Sequence, residues 1–453
     1  MFKKILIANR GEIALRILRT CRANGIGTVA VYSSADADSP HLALADETVC
    51  IGGAPAGKSY LNMDAILQAA MQYECQAVHP GYGFLAENEL FARRCEQQKT
   101  TFIGPPPQAI ALMGDKVAAR RAMRKAGIDP VPGSYYSIAA VEHAIEEADR
   151  IGYPVMLKAR AGGGGKGMRR CEGEAQLREM FPQAMMEAEK AFGDNGMYLE
   201  KCIDNGRHIE FQILVDAFGN AIHLGERECS VQRSHQKLVE ESPSPAINTT
   251  IREHIGDRVK QAVVEIGYRN AGTMEFIMDA DGHLYFMEMN TRLQVEHPVT
   301  EMLTGMDLVK EQILIAANHR LSYRQEEVCF SGHALECRIN AEDPFNGFMG
   351  SPGVISVFEP PPLDETVRLD THAEAGVSIP PFYDSMIGKL VVRGADRDSA
   401  IQRMRTALRS LRIEGIKTTI PLHLLILESA AFAGGAYTTA LVPELLAARR
   451  GGF

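Results

Sequence analysis

The sequence predicts an α/β and α+β protein, with a small parallel α/β unit at the amino end and mixed regions rich in antiparallel hairpins after it. Three observations predict this. Up to residue 113, short apolar runs alternate with helical periodicities, which is the pattern of βαβ units. Four consecutive glycines, Gly162 to Gly165, then separate two strand-like runs. Beyond residue 204, hairpin signals follow one another almost to Val392. With 453 residues and 45% hydrophobic content the chain can bury more than one core, and about two to four domains are expected.

Residues 5–8 read as a short buried strand; Asn9 and Gly11 turn the chain into a helix whose Ile13, Ile17, Leu18 and Cys21 share a face; residues 28–32 form the second strand. Further strands are expected at 48–51, 77–79 and 101–103. Two motif matches in this unit read as decoys. Gly52, Gly57, Lys58 and Ser59 satisfy the P-loop pattern, but Pro55 has no N–H to offer a phosphate and Asn62, further on, is the helix cap. Gly81, Gly83 and Ala86 fit a dinucleotide fingerprint, but no acidic residue ends a second strand about 20 positions on, so a tight turn is the better reading.

Residues 112–133 read as a helical segment closed by Gly127, Pro130 and Pro132, with most of the charge on Arg120, Arg121, Arg124 and Lys125 assigned to a solvated face. Residues 153–158 form a strand. The glycine run follows it, flanked by Lys158 and Lys166, and 168–171 read as a return strand before a helix over 174–190. Glycines leave their N–H groups free to close over phosphate oxygens, so this is a hairpin lid. Strands are then expected at 197–203, 208–215 and 221–228. The cluster Arg227, Gln232, Arg233, His235 and Lys237 is read most cheaply as a surface loop.

The chemistry is expected between Glu288 and Glu301. Glu288, Asn290, Arg292, Gln294 and Glu296 share one parity, with Met289, Leu293 and Val295 on the other, as in a strand with one apolar face. Upstream, Asp281-Gly282 reads as a type I′ turn, and counting back from it pairs Glu275 with Glu288. Like charges so placed repel, unless a cation sits between them. Two carboxylates and the Asn290 carbonyl are hard oxygen ligands that suit Mg²⁺, so a Mg-nucleotide site is expected at Glu275, Glu288 and Asn290. A helix over 306–317, further β-rich sequence, and helices over 399–411 and 421–432 complete the chain.

Composition narrows the function classes. Lys plus Arg (48) against Asp plus Glu (57) leaves a net charge of −9, so no general basic surface advertises nucleic acid or anionic membrane. Nine cysteines without a C-x-x-C pair suit reduced thiols, and no apolar segment of 18 residues occurs; a cytoplasmic protein is expected.

Taken together, Ala8 to Ala14, His79-Pro80-Gly81-Tyr82-Gly83, Met113 to Lys116, the glycine loop, Glu288 to Arg292 with His297 to Glu301, and Glu336 to Asp343 resemble biotin carboxylase over nearly the whole chain. The resemblance implies a Rossmann-like (pre-ATP-grasp) amino-terminal domain over 1–113 and a linker with the glycine-rich ATP-grasp lid over 114–203. It further implies an ATP-grasp core over 204–330 and a β-rich carboxy-terminal domain over 331–446. It also implies roles. Lys116, Lys158, Gly163, Gly164, Gly165, Met168, His208, Gln232 and His235 would contact ATP, with Glu200, Lys201 and Ile203 at the adenine. Glu275, Glu288 and Asn290 would hold Mg²⁺ or Mn²⁺. Lys237, Arg292, Gln294 and Val295 would hold bicarbonate, Glu296 would be its base, and Arg338, with Tyr82, would face biotin. The implied reaction is ATP-dependent carboxylation of biotin through carboxyphosphate, with acetyl-CoA carboxylase in fatty acid synthesis as the expected system and pyruvate or other acyl-CoA carboxylases as alternatives. No Met-Lys-Met attachment motif occurs, so a separate biotin carboxyl carrier protein and carboxyltransferase subunits are the expected partners, with a homodimer as the family's habit. Another ATP-grasp ligase, or a silent scaffold subunit, are the competing readings.

Overall fold

The computed structural model describes residues 1–160 and 168–451. Five strands, β1 (Lys4–Ile7), β2 (Gly27–Ser33), β3 (Glu47–Gly52), β4 (Ala77–His79) and β5 (Thr101–Phe102), form one sheet in the order β3-β2-β1-β4-β5. Every pairing is parallel, as the alternating pattern requires. Both expected decoys are turns. A Cβ on Gly52 would lie 2.0 Å from the Lys58 carbonyl oxygen, so that loop closes on itself, and Asn62 caps the helix Met63–Gln72 by accepting from the Ala65 amide at 3.1 Å. At Gly81 (φ +62°) the turn is clamped by Asn9, whose Nδ2 donates to the carbonyls of Pro80 and Tyr82 at 2.7 Å.

The segment expected as one helix is two, Pro107–Gly114 and Lys116–Lys125, because Asp115 turns its side chain onto the amides of Val117 and Ala118. The solvated-face reading fails at Arg120, which is 1% exposed and bonded to Glu200 at 2.7 Å. Its apolar stem passes through the lid's root and its charge is met there. Strands β6 (Val155–Ala159) and β7 (Arg169–Cys171) pair antiparallel, which bears out the hairpin, and β8 (Met197–Lys201) flanks β6. The helices Val141–Ile151 and Glu174–Phe192 cover this small sheet through Ile145, Leu177 and Phe181. The glycine loop, with Gly163, Gly164 and Gly165, lies outside the described residues.

One antiparallel sheet of eight strands runs through the rest. Its first five strands are β9 (Arg207–Val215), β10 (Ala221–Arg233), β11 (Gln236–Ser242), β12 (Asn270–Met278) and β13 (Leu284–Asn290). They are followed by β14 (His333–Asn340), Met386–Gly394 and Val367–Thr371, in the spatial order β13-β12-β9-β10-β11-β14, then the last two. The seam between the central and carboxy-terminal regions is the ladder β11–β14, where Glu240 faces Glu336.

The surface-loop reading of residues 226–241 is overturned. They form the β10–β11 hairpin, and Ser234 (φ +49°) and His235 (φ +67°) make a two-residue turn with both central residues left-handed. The β12–β13 hairpin does pair Glu275 with Glu288, by a different route from the one expected. Asp279 bonds His283 across three loop residues ending in Gly282 (φ +84°), which shifts the register by one, and a bulge between Glu275 and Phe276 shifts it back.

Candidate active site

The strand parity expected through Glu296 stops at Asn290, where β13 ends. Beyond it a loop carries Thr291 to Val295, and Glu296 sits immediately before the helix His297–Thr304, with Pro298 in the first turn. The side chains converge because the chain turns back on itself over the end of the sheet. The Glu296 side chain makes no cap hydrogen bond to that helix and turns instead to Lys237 and Arg338.

A cleft of about 840 Å³ opens over this end of the sheet, between it and the lid. Lys116, Lys158, Met168, Glu200, Lys201, Ile203, His208, Gln232 and His235 line it from the lid side and the strand ends. Lys237, Glu275, Glu288, Asn290, Arg292, Gln294, Val295, Glu296 and Arg338 line its floor. The expected residues, scattered along the chain from Lys116 to Arg338, therefore meet in one place. Tyr82 does not belong to that wall; its hydroxyl donates to Glu12, behind the floor.

At the centre, the Lys237 ammonium donates to Glu210 at 2.6 Å, Glu275 at 2.8 Å and Glu296 at 2.6 Å. Arg338 bridges Glu240 at 2.6 Å and Glu296 at 2.9 Å. Beneath them Arg227, fully buried, binds Glu210 at 2.6 Å, Gln212 at 2.9 Å and Gln294 at 2.8 Å. Burial opposes ionisation of Glu296, but Lys237, Arg338 and Arg227 outweigh it and hold the carboxyl well below the usual range. Glu275 is lowered for the same reason, with Lys237 and His208 offsetting its burial.

Glu275 also accepts from Asn290 Nδ2 at 2.9 Å and Gln294 Nε2 at 2.8 Å, while Glu288 pairs with Lys116. The donor set of two carboxylates and an amide oxygen is all hard oxygen, and two lysines neutralise it here; that chemistry fits a divalent cation bearing phosphates. Glu200, between Arg120 and Lys158, is likewise held low, the two cations overcoming its burial.

Sequence reasoning missed several members. Glu87 receives Arg292 Nε at 2.8 Å and the Thr291 amide at 2.9 Å, tying the first domain to the site. Glu210 and Gln212 were legible as polar residues at alternate positions of an apolar strand beside His208. Glu240 and Glu336 stand opposite one another, buried. Burial pushes Glu240 up to about 7 against the opposing effect of Arg338, and pushes Glu336 well up. Neither oxygen of Glu336 has a hydrogen-bond partner among the described residues.

Residues 1–110 match the biotin carboxylase N-terminal domain, 115–324 the ATP-binding domain of the carbamoyl-phosphate synthase L chain, and 336–444 the biotin carboxylase C-terminal domain. A biotin carboxylase from Nostoc sp. is 53% identical over 444 residues, covering 98% of this chain and 99% of that protein. The chain belongs to the biotin carboxylase family. Solved members superpose closely. The biotin carboxylase domain dimer of Hydrogenobacter thermophilus 2-oxoglutarate carboxylase, in complex with MgADP, ADP and bicarbonate, is 50% identical with a TM-score of 0.96, covering 98% of this chain and 99% of that one. The biotin carboxylase subunit of a pyruvate carboxylase is 50% identical with a TM-score of 0.84 over the same shares. The ATP-grasp fold of the family is thus the fold of this chain, and the family's members are ligases. No described helix is long and apolar enough to cross a membrane.

Proposed function

We propose that this chain carboxylates biotin with bicarbonate and ATP, giving ADP, phosphate and N1′-carboxybiotin. The observation that carries the proposal is the Lys237–Glu296–Arg338 cluster on the floor of a cleft whose other end is lined by Lys116, Lys158 and Glu200. ATP would lie beneath the lid, held by Lys116, Lys158, Met168, His208, Gln232 and His235, with Gly163, Gly164 and Gly165 closing over it. Its base would face Glu200, Lys201 and Ile203. Mg²⁺ or Mn²⁺ at Glu275, Glu288 and Asn290 would neutralise the phosphates.

Bicarbonate, held by Lys237, Arg292, Gln294 and Val295, would attack the γ-phosphorus through one oxygen while the bond to ADP breaks, and Glu296 would take its proton. A free Glu296 so strongly paired is a poor base. An incoming anion draws Lys237 and Arg292 toward itself and so raises the carboxylate's basicity when it is needed, a contribution of about 10²- to 10⁴-fold for general base catalysis. Carboxyphosphate then splits into CO₂ and phosphate, the phosphate accepts the N1′ proton of biotin, and N1′ attacks CO₂. Arg338, released from Glu296, would stabilise the ureido oxygen. The biotin would be borne by a separate carrier protein, and carboxyltransferase subunits would pass the carboxyl group on.

Acetyl-CoA, in fatty acid synthesis, is the acceptor we propose, in a cytoplasmic assembly built on a homodimer. Pyruvate and 2-oxoglutarate are the alternatives, since biotin carboxylases of those systems share this fold. ADP release with Mg-ATP and bicarbonate, with and without biotin, tests the reaction. Turnover that needs bicarbonate, rises with biotin and disappears in Glu296→Ala is expected; ATP cleavage indifferent to both would overturn the assignment. Carboxylated carrier offered to carboxyltransferase with each acceptor in turn tests the second half.

A further inference from the structure

Lys389 lies on the strand Met386–Gly394, directly across from Arg338 on one side and Asp370 on the other. Its side chain is fully buried, yet it takes part in none of the chemistry above. The ammonium donates to the Val295 carbonyl at 2.8 Å and lies 3.1 Å from a carboxylate oxygen of Glu12. Glu12 comes from the first turn of the helix Gly11–Ala23 and is itself 4% exposed, with its other oxygen unpartnered and Tyr82 donating to the first. One buried charge therefore ties together the amino-terminal unit, the loop of the active site and the carboxy-terminal strands.

The peptide it grips is the one between Val295 and Glu296. A trans peptide directs its carbonyl and its N–H in opposite senses. Pinning the carbonyl on Lys389 turns the Glu296 amide the other way, and Val295 and Glu296 both line the cleft. Among the described residues the Glu296 amide donates no hydrogen bond.

We propose that Lys389, held by Glu12, is a positioning residue that fixes the Val295–Glu296 peptide and thereby presents the Glu296 amide and the Glu296 carboxylate to bicarbonate. The proposal rests on the bicarbonate reading above. Its rival is simple cohesion: an ion pair that joins two regions and affects only stability. Burying a charge is costly unless it is paired, so cohesion predicts that removing both members together repairs the damage. Positioning predicts that it does not, because a methionine cannot hold a carbonyl.

The test uses the full chain with Lys389→Met, Glu12→Gln and the double variant, reading thermal stability and the KM for bicarbonate and for ATP separately. Lys389→Met should raise the KM for bicarbonate, or lower kcat, by about 10- to 100-fold, as small misplacements of reacting groups do. The KM for ATP should stay within about twofold. In the double variant stability should recover while the bicarbonate defect persists. If Lys389→Met does not fold, the double variant carries the comparison. Recovery of stability and kinetics together, or equal rises in both constants, would overturn the positioning role alone. Wild-type protein that binds ATP but shows no bicarbonate-dependent ADP release would overturn the functional reading, and this role with it.

Discussion

Two buried glutamates, Glu296 and Glu336, respond to pH in opposite senses. Glu296 is held low because Lys237 and Arg338 outweigh its burial, so its contribution to stability is present above the ordinary glutamate value and is lost as pH falls through its folded one. Glu296→Gln should therefore cost about 1–3 kcal/mol near pH 7, a deficit that shrinks below about pH 4 in chemical denaturation. Glu336 is raised, with no partner for either oxygen, so its stability is present below the ordinary value and lost as pH rises through the folded one. Glu336→Gln, a neutral isostere, should match wild type below about pH 4 and exceed it by at least about 1 kcal/mol at pH 8. A variant less stable than wild type at pH 8 would mean that the carboxylate is paired and ionised there.

Turns decide what each element presents. In the loop from Gly52 to Ser59 the backbone packs on itself, and Lys58 is exposed. Lys58→Ala should leave kcat/KM for ATP within about twofold, as at other surface positions, and a tenfold loss with the fold intact would revive a phosphate-binding role. Gly52→Ala should destabilise by about 2 kcal/mol or more, since its φ is +140° and the added methyl would meet the Lys58 carbonyl. In the β12–β13 hairpin, a three-residue loop and a bulge offset one another, so Glu275 and Glu288 face each other although the turn is not the expected one. Asp281-Gly282 marked the hairpin correctly because glycine is needed where φ is positive. The bulge left no comparable mark.

Across the whole molecule, the unbroken ladder from β13 to Val367–Thr371 makes the central and carboxy-terminal regions one mechanical body. The three-stranded lid has its own small core and is joined to that body chiefly by Arg120 and neighbouring main-chain bonds. Native-state hydrogen exchange should show amides of β9 and β14 protected to a common, high level and those of β6 and β8 opening at lower free energy. Mg-ADP should raise protection in the lid by at least about tenfold, because a ligand bridging lid and sheet binds only the closed form. Lid and sheet exchanging as one unit, with no response to nucleotide, would contradict this.

By itself the sequence determined the parallel strands of the first unit and the lid hairpin, since periodicity and turn chemistry are local. It also marked the Glu288–Glu296 stretch, because charge so dense beside apolar positions has few cheap explanations. Its local reading failed where partners are distant. Arg120 and Arg227 look solvated until a glutamate from another strand meets each charge. That the Tyr82 hydroxyl meets Glu12 is likewise invisible in the sequence. Glu87, Glu240 and Lys389 reach the site only because the chain returns to it from three separate regions. Their roles depend on pairings across tens to hundreds of residues, and only the tertiary structure decides whether a buried charge finds a partner.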